Sequence, residues 1–325
     1  MLSTRGRMQF LLGDIGGTNA RFALLIGDQL GQVQHVTVAD YPCIGDAITA
    51  FLSRQSARPV IGAAVLAIAG PVSGECCSIT NSPWVIDGLE LRKAFGMSTV
   101  RLINDFEAVA LSLPQLPEAD LFSLGGGKAQ SGESMLVLGP GTGFGAAALV
   151  EPNGRAIPIP TECGHNTLPS NCRREDAIID HLRQRFEHVS IERAISGPGL
   201  ENLYQTIAAL DGRRVPARNP NEITDAAIKG DCPNSRMALD TFCAMLGAVA
   251  GNLALSFRAG GGVYIAGGIA PRIADFIAQS EFRARFEAKG RFRSYLSRIP
   301  TSIIVHPNPS FAGLKALSKT MDNAR

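Results

Sequence analysis

A glycine-rich turn near the start of the chain carries an acidic residue, in the sequence Gly13-Asp-Ile-Gly-Gly-Thr-Asn. A turn of this kind leaves backbone N–H groups pointing outward, where they can cradle an anion such as phosphate. The carboxylate of Asp14 would repel that anion unless a cation lay between them, so the turn predicts bound Mg²⁺. Taken alone, the motif also fits an ordinary β-hairpin with a polar turn, because short motifs arise by chance.

A second turn of similar design lies in the sequence Leu138-Gly-Pro-Gly-Thr-Gly-Phe-Gly. An apolar stretch precedes each turn and another follows it, which predicts two strands joined at the glycines. We interpret the two hairpins as an internal duplication, with one hairpin in each domain. Two such turns could close on one phosphate chain from opposite sides.

The third candidate is the pair Asn104-Asp105, where a short apolar strand gives way to apolar residues at helical spacing. Asn104 and Glu107 have the spacing of a helix capping box, which is a purely structural role. Asp105 would follow the C-terminal end of a sheet strand, where α/β folds bind their ligands. Both interpretations can hold together, with Asn104 capping the helix and Asp105 reaching a ligand.

Two common nucleotide-binding motifs do not fit the first turn. A dinucleotide fold needs G-x-G-x-x-G at the start of a helix, whereas Gly13-Asp-Ile-Gly-Gly-Thr departs from that pattern and Asn19 begins a predicted strand. Asp40 stands near the position of a ribose-binding acid, but this agreement is superficial. The P-loop pattern G-x-x-x-x-G-K-[ST] does not occur in the sequence.

Composition narrows the class of protein and its partners. The chain has 325 residues, 45% of them hydrophobic and 18% charged, which predicts a soluble globular protein of two domains. A net charge of +2 without a basic tract argues against nucleic acid or a membrane surface as the main partner. The seven scattered cysteines and the lack of an apolar leader predict free thiols in a reducing cytoplasm.

The elements that position these candidates predict an α/β fold. Residues 60–69 form a continuous apolar run, typical of a strand buried on both faces. Residues 114–132 are rich in Pro, Gly and polar residues and predict a linker at a domain boundary. Residues 241–257 predict a buried core helix, because the run is shorter than the roughly 20 residues of a membrane span. The arginine-rich residues 282–296 are expected to form a surface or a lid.

Six ordered motifs resemble those of a known family. The two glycine turns and Val263-Tyr-Ile-Ala-Gly-Gly-Ile-Ala-Pro-Arg resemble the two phosphate motifs and the adenosine motif of the hexokinase/actin/Hsp70 ATPase superfamily. The sequences I-N-D-F-E-A-V-A, T-E-C-G-H and S-G-P-G-L-E-N-L-Y narrow the resemblance to bacterial ATP-dependent glucokinases. The resemblance implies two ribonuclease-H-like domains with a cleft between them, formed by residues 1–115 plus 306–325 and by residues 116–305.

The same resemblance implies an activity and assigns roles to particular residues. It implies that the γ-phosphate of ATP passes to the 6-hydroxyl of glucose at the entry to glycolysis, with Asp105 as the catalytic base. Mg²⁺ is expected on Asp14, held through water. The implied glucose contacts are Asn104, Asp105, Glu162, His165 and Glu192. The implied ATP contacts are Gly13, Asp14, Ile15, Gly16, Gly17, Thr18, Gly139, Gly141, Thr142, Gly143, Gly267 and Gly268.

Several alternatives stay open at this point. His165 fits a buried histidine with a satisfied ring, Glu162 could simply pair with it, and Glu192 fits a solvated helix residue. No structural zinc is expected, because Cys172 is the single cysteine in the stretch that follows Gly164-His165. A kinase for another hexose and a non-catalytic sugar sensor are the alternative functions. Family resemblance also implies a homodimer.

Overall fold

The computed structural model describes residues 8–55, 59–72, 74–79, 82 and 84–323. The chain divides into two compact units. The terminal unit comprises Met1–Leu116 and Pro307–Arg325, and the central unit comprises Pro117–His306. All seven cysteines are free thiols, as the sequence predicts.

Strands occur in both units of the described chain. In the terminal unit they are β1 (Gln9–Ile15), β2 (Asn19–Ile26), β3 (Gln29–Leu30), β4 (Gln34–Thr37), β5 (Ala63–Ile68), β6 (Cys76–Ser78), β7 (Val85–Asp87) and β8 (Thr99–Asn104). In the central unit they are β9 (Leu121–Gly125), β10 (Met135–Pro140), β11 (Phe144–Val150), β12 (Ile157–Thr161), β13 (Val263–Ile265) and β14 (Thr301–Ile304).

The α-helices follow the same division, and the last one returns to the terminal unit. The terminal unit holds α1 (Ile44–Ser53), α2 (Gly88–Phe95) and α3 (Asp105–Ser112). The central unit holds α4 (Arg173–Arg183), α5 (Gly197–Leu210), α6 (Pro220–Lys229), α7 (Pro233–Ser256), α8 (Ala274–Gln279), α9 (Phe282–Glu287) and α10 (Arg293–Leu296). Helix α11 (Pro309–Asn323) packs on α3 and β1.

The sheet of the terminal unit has the order β3-β2-β1-β5-β8, with β4 also paired to β2. Strand β1 runs antiparallel to β2 and parallel to β5, which runs parallel to β8. Every residue of β5 is buried, as the apolar run at residues 60–69 predicts. The parallel arrangement places the C-terminal ends of β1, β5 and β8 at one edge of the sheet.

The sheet of the central unit has the order β12-β11-β10-β13-β14-β9. Strand β10 runs antiparallel to β11 and parallel to β13, and β13 runs parallel to β14. The hairpin β10-β11 therefore repeats the placement of β1-β2, with a glycine turn between the two strands in each case. This repeat agrees with the duplication inferred from the two glycine turns.

Local sequence explains where several helices begin and end. Asp87 precedes α2, and its side chain accepts hydrogen bonds from the N–H groups of Leu89 and Glu90. Gly96 ends α2 with a φ of +65°, a conformation in which glycine carries little strain. Asn219 and Glu222 form a complete capping box at the start of α6.

The structure revises two expectations about irregular segments. The boundary between the two units, at Leu116 and Pro117, lies within residues 114–132, but the segment is not a plain linker, because β9 lies within it and pairs antiparallel with β14.

Residues 282–296 are expected to form a surface or a lid, and they form a surface, because Arg291 and Arg293 are exposed. The apolar residues of the segment pack inward instead, since Phe282, Phe286 and Leu296 are fully buried. The many arginines of this segment made its apolar face hard to recognise in the sequence, and this face of α9 packs against α7.

Helix α7 is the one helix of the described chain that is long and apolar enough to cross a membrane. Most of it is buried in the central unit, including Leu239, Phe242 and Leu246. The predicted core helix at residues 241–257 is therefore confirmed as a buried element.

Candidate active site

The first glycine turn joins β1 to β2 in the terminal unit. The Gly16 N–H donates to the Asn19 carbonyl at 2.9 Å and closes the turn. Strand β1 passes close to its neighbour at Gly13, where an added Cβ would lie 2.7 Å from Leu66 Cδ2. Thr18 is exposed at the tip of the turn, where its hydroxyl and the nearby backbone can meet a ligand.

Asp14 lies just before this turn and is held by two side chains. Its Oδ2 atom accepts a 3.0 Å hydrogen bond from Ser310 Oγ and lies 3.4 Å from an Arg21 guanidinium nitrogen. Burial raises the pKa of Asp14, although Arg21 and the Ser310 hydroxyl both act to lower it. Without a bound ligand, the protein therefore solvates the charged form of this carboxyl only incompletely.

The residues around Asp14 fit a hydrated Mg²⁺ ion. A cation would stabilise the charged carboxylate that burial disfavours, and both protein contacts approach Oδ2 rather than Oδ1. No group of three or more His, Cys, Asp and Glu residues able to hold a metal is present within the described chain. One carboxylate with water and substrate phosphate is a typical Mg²⁺ environment, since this ion gives up water reluctantly.

Asn104 and Asp105 lie where β8 ends and α3 begins. The Asn104 side chain accepts hydrogen bonds from the N–H groups of Phe106 and Glu107, at 2.9 and 3.4 Å, and Glu107 accepts from the Asn104 N–H at 3.0 Å. This confirms the predicted capping box. Asp105 is the first residue of α3 and is half-buried, with Oδ1 at 2.9 Å from the Phe106 nitrogen.

The second glycine turn joins β10 to β11 in the central unit. The Gly141 N–H donates to the Gly143 carbonyl at 2.8 Å. Glu192 lies against this turn, with Oε2 accepting a 3.0 Å hydrogen bond from the Phe144 N–H. The interpretation of Glu192 as a solvated helix residue is therefore wrong, since its side chain contacts the turn.

The sequence T-E-C-G-H forms a short 3₁₀ helix, Cys163–His165, beside the start of β11. The side chains of Glu162 and His165 are exposed, so the interpretation of His165 as a buried histidine is wrong. Gly164 packs closely, since an added Cβ would lie 2.2 Å from the Phe144 carbonyl oxygen. The Ile191 N–H donates to the Asn166 carbonyl at 2.9 Å and ties this loop to the segment of Glu192.

The predicted adenosine turn follows β13. Gly267 has a φ of +90°, and an added Cβ would lie 2.4 Å from the Pro140 carbonyl oxygen. Gly139 is equally crowded from the other side, since a Cβ added there would lie 2.3 Å from the Ala266 carbonyl oxygen. Glycine at both positions allows this turn to lie directly against the end of β10. Gly268 faces open space, where a ligand can approach the backbone.

The predicted site residues thus fall into one group in each unit. The terminal unit holds the first glycine turn, Asn104 and Asp105, and the central unit holds the second turn with Glu192 beside it. Sequence reasoning missed Ser310 and Arg21 as partners of Asp14. No motif contains Ser310, whereas Arg21 stands opposite Asp14 in the β1-β2 hairpin, so the register of that hairpin could have revealed it. It also missed Gly197, although the quoted S-G-P-G sequence contains it; its N–H donates to the Gly141 carbonyl at 2.8 Å.

This arrangement of turns and acids can be compared with known proteins. The family model for glucokinase matches residues 11–321, nearly the whole chain. The chain belongs to the glucokinase family. This confirms the resemblance predicted from the six motifs.

Individual glucokinases support the same assignment. The glucokinase of Nitrobacter hamburgensis is 45% identical over 94% of this chain and 96% of its own length. That of Paramagnetospirillum magneticum is 46% identical, over 97% of this chain and 98% of its own length.

Solved glucokinase structures resemble the whole fold. The glucokinase of an Antarctic psychrotroph has a TM-score of 0.86 at 33% identity, covering 96% of this chain and 99% of that one. The glucokinase of Balamuthia mandrillaris, solved in complex with glucose, has a TM-score of 0.80 at 22% identity, with 98% and 95% covered. The predicted α/β class, with two ribonuclease-H-like domains of the actin-like ATPase type, is confirmed.

Proposed function

We propose that this chain transfers the γ-phosphate of ATP to the 6-hydroxyl of D-glucose and so brings glucose into glycolysis. The observation that carries the proposal is the position of Asp105, the first residue of α3 at the C-terminal end of the parallel strand β8. Ligands of open α/β sheets bind at this end of the strands. Membership of the glucokinase family favours an enzyme over a non-catalytic sugar sensor.

Asp105 is proposed as the general base. Its carboxylate accepts the proton of the glucose 6-hydroxyl as that oxygen attacks the γ-phosphorus and the bond from phosphorus to the ADP oxygen breaks. Asn104 caps α3 through its side-chain oxygen, and this fixes the backbone that carries Asp105. A positioned base of this kind typically contributes about 10²–10⁴-fold to the rate.

The remaining sugar contacts are proposed to be Asn104, Glu162, His165 and Glu192. Their amide, carboxylate and imidazole groups can exchange hydrogen bonds with the hydroxyls of a neutral sugar. The exposure of Glu162 and His165 supports this role, because it leaves both side chains accessible to a ligand.

The three glycine turns are proposed to bind ATP, with phosphates on the first two and adenosine on the third. Asp14 would hold Mg²⁺, which when bound supplies positive charge that neutralises the phosphate oxygens. The proposed ATP contacts are Gly13, Asp14, Ile15, Gly16, Gly17, Thr18, Gly139, Gly141, Thr142, Gly143, Gly267 and Gly268.

Location, assembly and the partition of the site are further parts of the proposal. We expect a cytoplasmic homodimer. The domain that carries the first phosphate turn and the base is proposed to comprise residues 1–115 plus 306–325. Residues 116–305 would supply the second phosphate turn and the adenosine turn. Light scattering of the purified protein measures the mass of the assembly directly.

The decisive experiment is the variant Asp105→Asn in an assay that couples glucose 6-phosphate formation to dehydrogenase absorbance. We expect kcat to fall by about 10²–10⁴-fold while glucose binding, measured by titration calorimetry, stays near that of the unchanged protein. Glu90→Gln, an exposed change on α2 of the same unit, is the matched control and should leave kcat unaltered. Near-normal turnover in Asp105→Asn would reject the assigned base.

A panel of sugars in the same assay tests the substrate. Glucose should give the highest kcat/KM, with mannose, fructose and N-acetylated amino sugars well below it. A higher kcat/KM for any of these sugars would make the chain a kinase for that hexose instead.

A further inference from the structure

Glu192 contacts the second glycine turn in a way that binding a sugar does not require. Its Oε2 atom accepts a 3.0 Å hydrogen bond from the N–H of Phe144, the first residue of β11. A Cβ added at Gly143 would lie 2.4 Å from the same oxygen. The carboxylate therefore occupies the space that a side chain at position 143 would need.

The backbone of Glu192 is fixed to the start of α5. The Ser196 hydroxyl donates to the Glu192 carbonyl at 2.8 Å and accepts from the Gly199 N–H at 2.9 Å. Ser196 is fully buried, so water does not compete for its hydroxyl. The Glu192 backbone and the N-terminus of α5 are thus one structural piece.

The same helix start also holds the other side of the turn. The Gly197 N–H donates to the Gly141 carbonyl at 2.8 Å. The turn is therefore held at Gly141 by a backbone group and at Phe144 by the carboxylate of Glu192. Of these two contacts, only the one to Phe144 is made by a side chain. The torsions of the Glu192 side chain can change when a ligand binds.

We propose that Glu192 is a positioning residue for the second glycine turn and that it couples glucose affinity to nucleotide affinity. This inference rests on the proposed function, in which Glu192 also binds a glucose hydroxyl. A sugar held on Oε1 fixes the carboxylate, and Oε2 then fixes the Phe144 N–H. A turn that is already ordered loses less freedom when phosphate binds, so the nucleotide binds more tightly. By linkage, the nucleotide strengthens glucose binding by the same factor.

The first test measures the affinity for AMPPNP, a non-transferable ATP analogue, by titration calorimetry with no sugar present. Glu192→Ala should bind AMPPNP about tenfold more weakly, because the charge-assisted bond to the turn is lost. His165→Ala, the matched sugar-contact variant, should bind AMPPNP as the unchanged protein does. A residue that only binds sugar cannot alter this affinity, so an unchanged value in Glu192→Ala overturns the proposal.

The second test repeats the titration at saturating glucose. The unchanged protein should gain about fivefold or more in AMPPNP affinity. His165→Ala should keep this gain once its glucose site is filled. Glu192→Asp should lose it, because the shorter side chain cannot reach the sugar and Phe144 together. An equal gain in Glu192→Asp contradicts the coupling.

The third test guards against variants that merely misfold. Gly143→Ala places a methyl group against the Glu192 carboxylate and should weaken sugar-free AMPPNP binding. In the Glu192→Ala background the same methyl no longer meets the carboxylate, so Gly143→Ala should weaken AMPPNP binding clearly less than it does in the unchanged protein. Two penalties that simply add would show that the positions are independent and would overturn the proposal.

The outcomes separate this inference from the proposed function. If the protein fails to phosphorylate glucose, the proposed function fails, whatever the sugar-free titrations give. If it phosphorylates glucose but Glu192→Ala binds AMPPNP normally without sugar, only the inference fails.

Discussion

Ser310 and Asp14 are joined by a hydrogen bond although they lie 296 positions apart in the sequence. Ser310 is the second residue of α11 and is buried, and its hydroxyl donates to Asp14 Oδ2 at 3.0 Å. Asp14 stands on β1 directly before the first glycine turn. The contact ties the last helix of the chain to the strand that carries the proposed Mg²⁺ ligand.

Replacing Asp14 with Asn should change how stability depends on pH. Burial raises the pKa of Asp14 above its ordinary value of 3.8, so the folded protein holds this proton more tightly than the unfolded chain. The free energy of unfolding that Asp14 contributes therefore falls as pH rises from 3.8 to the folded pKa. Urea titrations at a series of pH values should show Asp14→Asn gaining stability relative to the unchanged protein across that window and holding the gain above it.

The variant Ser310→Ala is the companion measurement. The Ser310 hydroxyl lowers the pKa of Asp14, so its removal should raise that pKa further and extend toward higher pH the range over which stability falls.

Turnover with Mg²⁺ and ATP should fall in Asp14→Asn despite its better stability at neutral pH. A stability difference between Asp14→Asn and the unchanged protein that is flat with pH would refute the argument.

Local interactions could be predicted from the sequence, and distant ones could not. The capping box of Asn104 and Glu107 spans three residues, and it was found as expected. The partner of Glu192 is the Phe144 N–H, 48 positions away, and nothing in the sequence around Glu192 reveals it. The solvated helix assigned there as an alternative was wrong because a tertiary contact decides the outcome.

The same reason explains the two revised segments. Strand β9 lies in a Pro- and Gly-rich stretch whose composition indicates a loop. It forms a strand because its backbone pairs with β14. The arginine-rich segment contains Phe282 and Phe286, whose burial depends on the position of α7. In both cases a partner far along the chain overrides local preference.

Replacing Arg283 with Ala should destabilise the central unit rather than the chemistry. Its guanidinium donates to the carbonyl groups of Leu296, Ser297 and Ile299 and pairs with Glu287 at 2.7 Å. The side chain is 19% exposed, so its loss removes the arginine donor from three carbonyls, of which the Leu296 carbonyl keeps the Ile299 N–H. We expect the free energy of unfolding to fall by about 2–4 kcal/mol, measured by urea denaturation.

An exposed arginine in the same segment provides the control for Arg283. Arg291 lies on the surface beside Phe292, and Arg291→Ala should change stability by less than about 0.5 kcal/mol. A lid residue would instead lower kcat with no loss of stability, and that result for Arg283→Ala would restore the lid interpretation.

Gly313 in α11 packs directly against α3, the helix that begins at Asp105. A Cβ added there would lie 1.8 Å from the carbonyl oxygen of Ala108. Alanine normally stabilises a helix by about 1 kcal/mol relative to glycine, but this overlap with backbone must push the two helices apart. We expect Gly313→Ala to lower the free energy of unfolding by about 1–3 kcal/mol and to lower kcat, because α3 carries the proposed base.

Gly45 in α1 tests whether the contact with Ala108, rather than the change from glycine to alanine itself, decides if stability falls or rises. The nearest atom to a Cβ added at Gly45 is Cys43 Sγ at 3.6 Å, an ordinary contact distance. Gly45→Ala should therefore keep the gain from helix propensity and raise stability slightly, with kcat unaltered. Thermal and urea unfolding of the two variants side by side should show stability changes of opposite sign. A stabilised Gly313→Ala protein would mean that α11 shifts on α3 at little cost, and the position of Asp105 would then not depend on this helix contact.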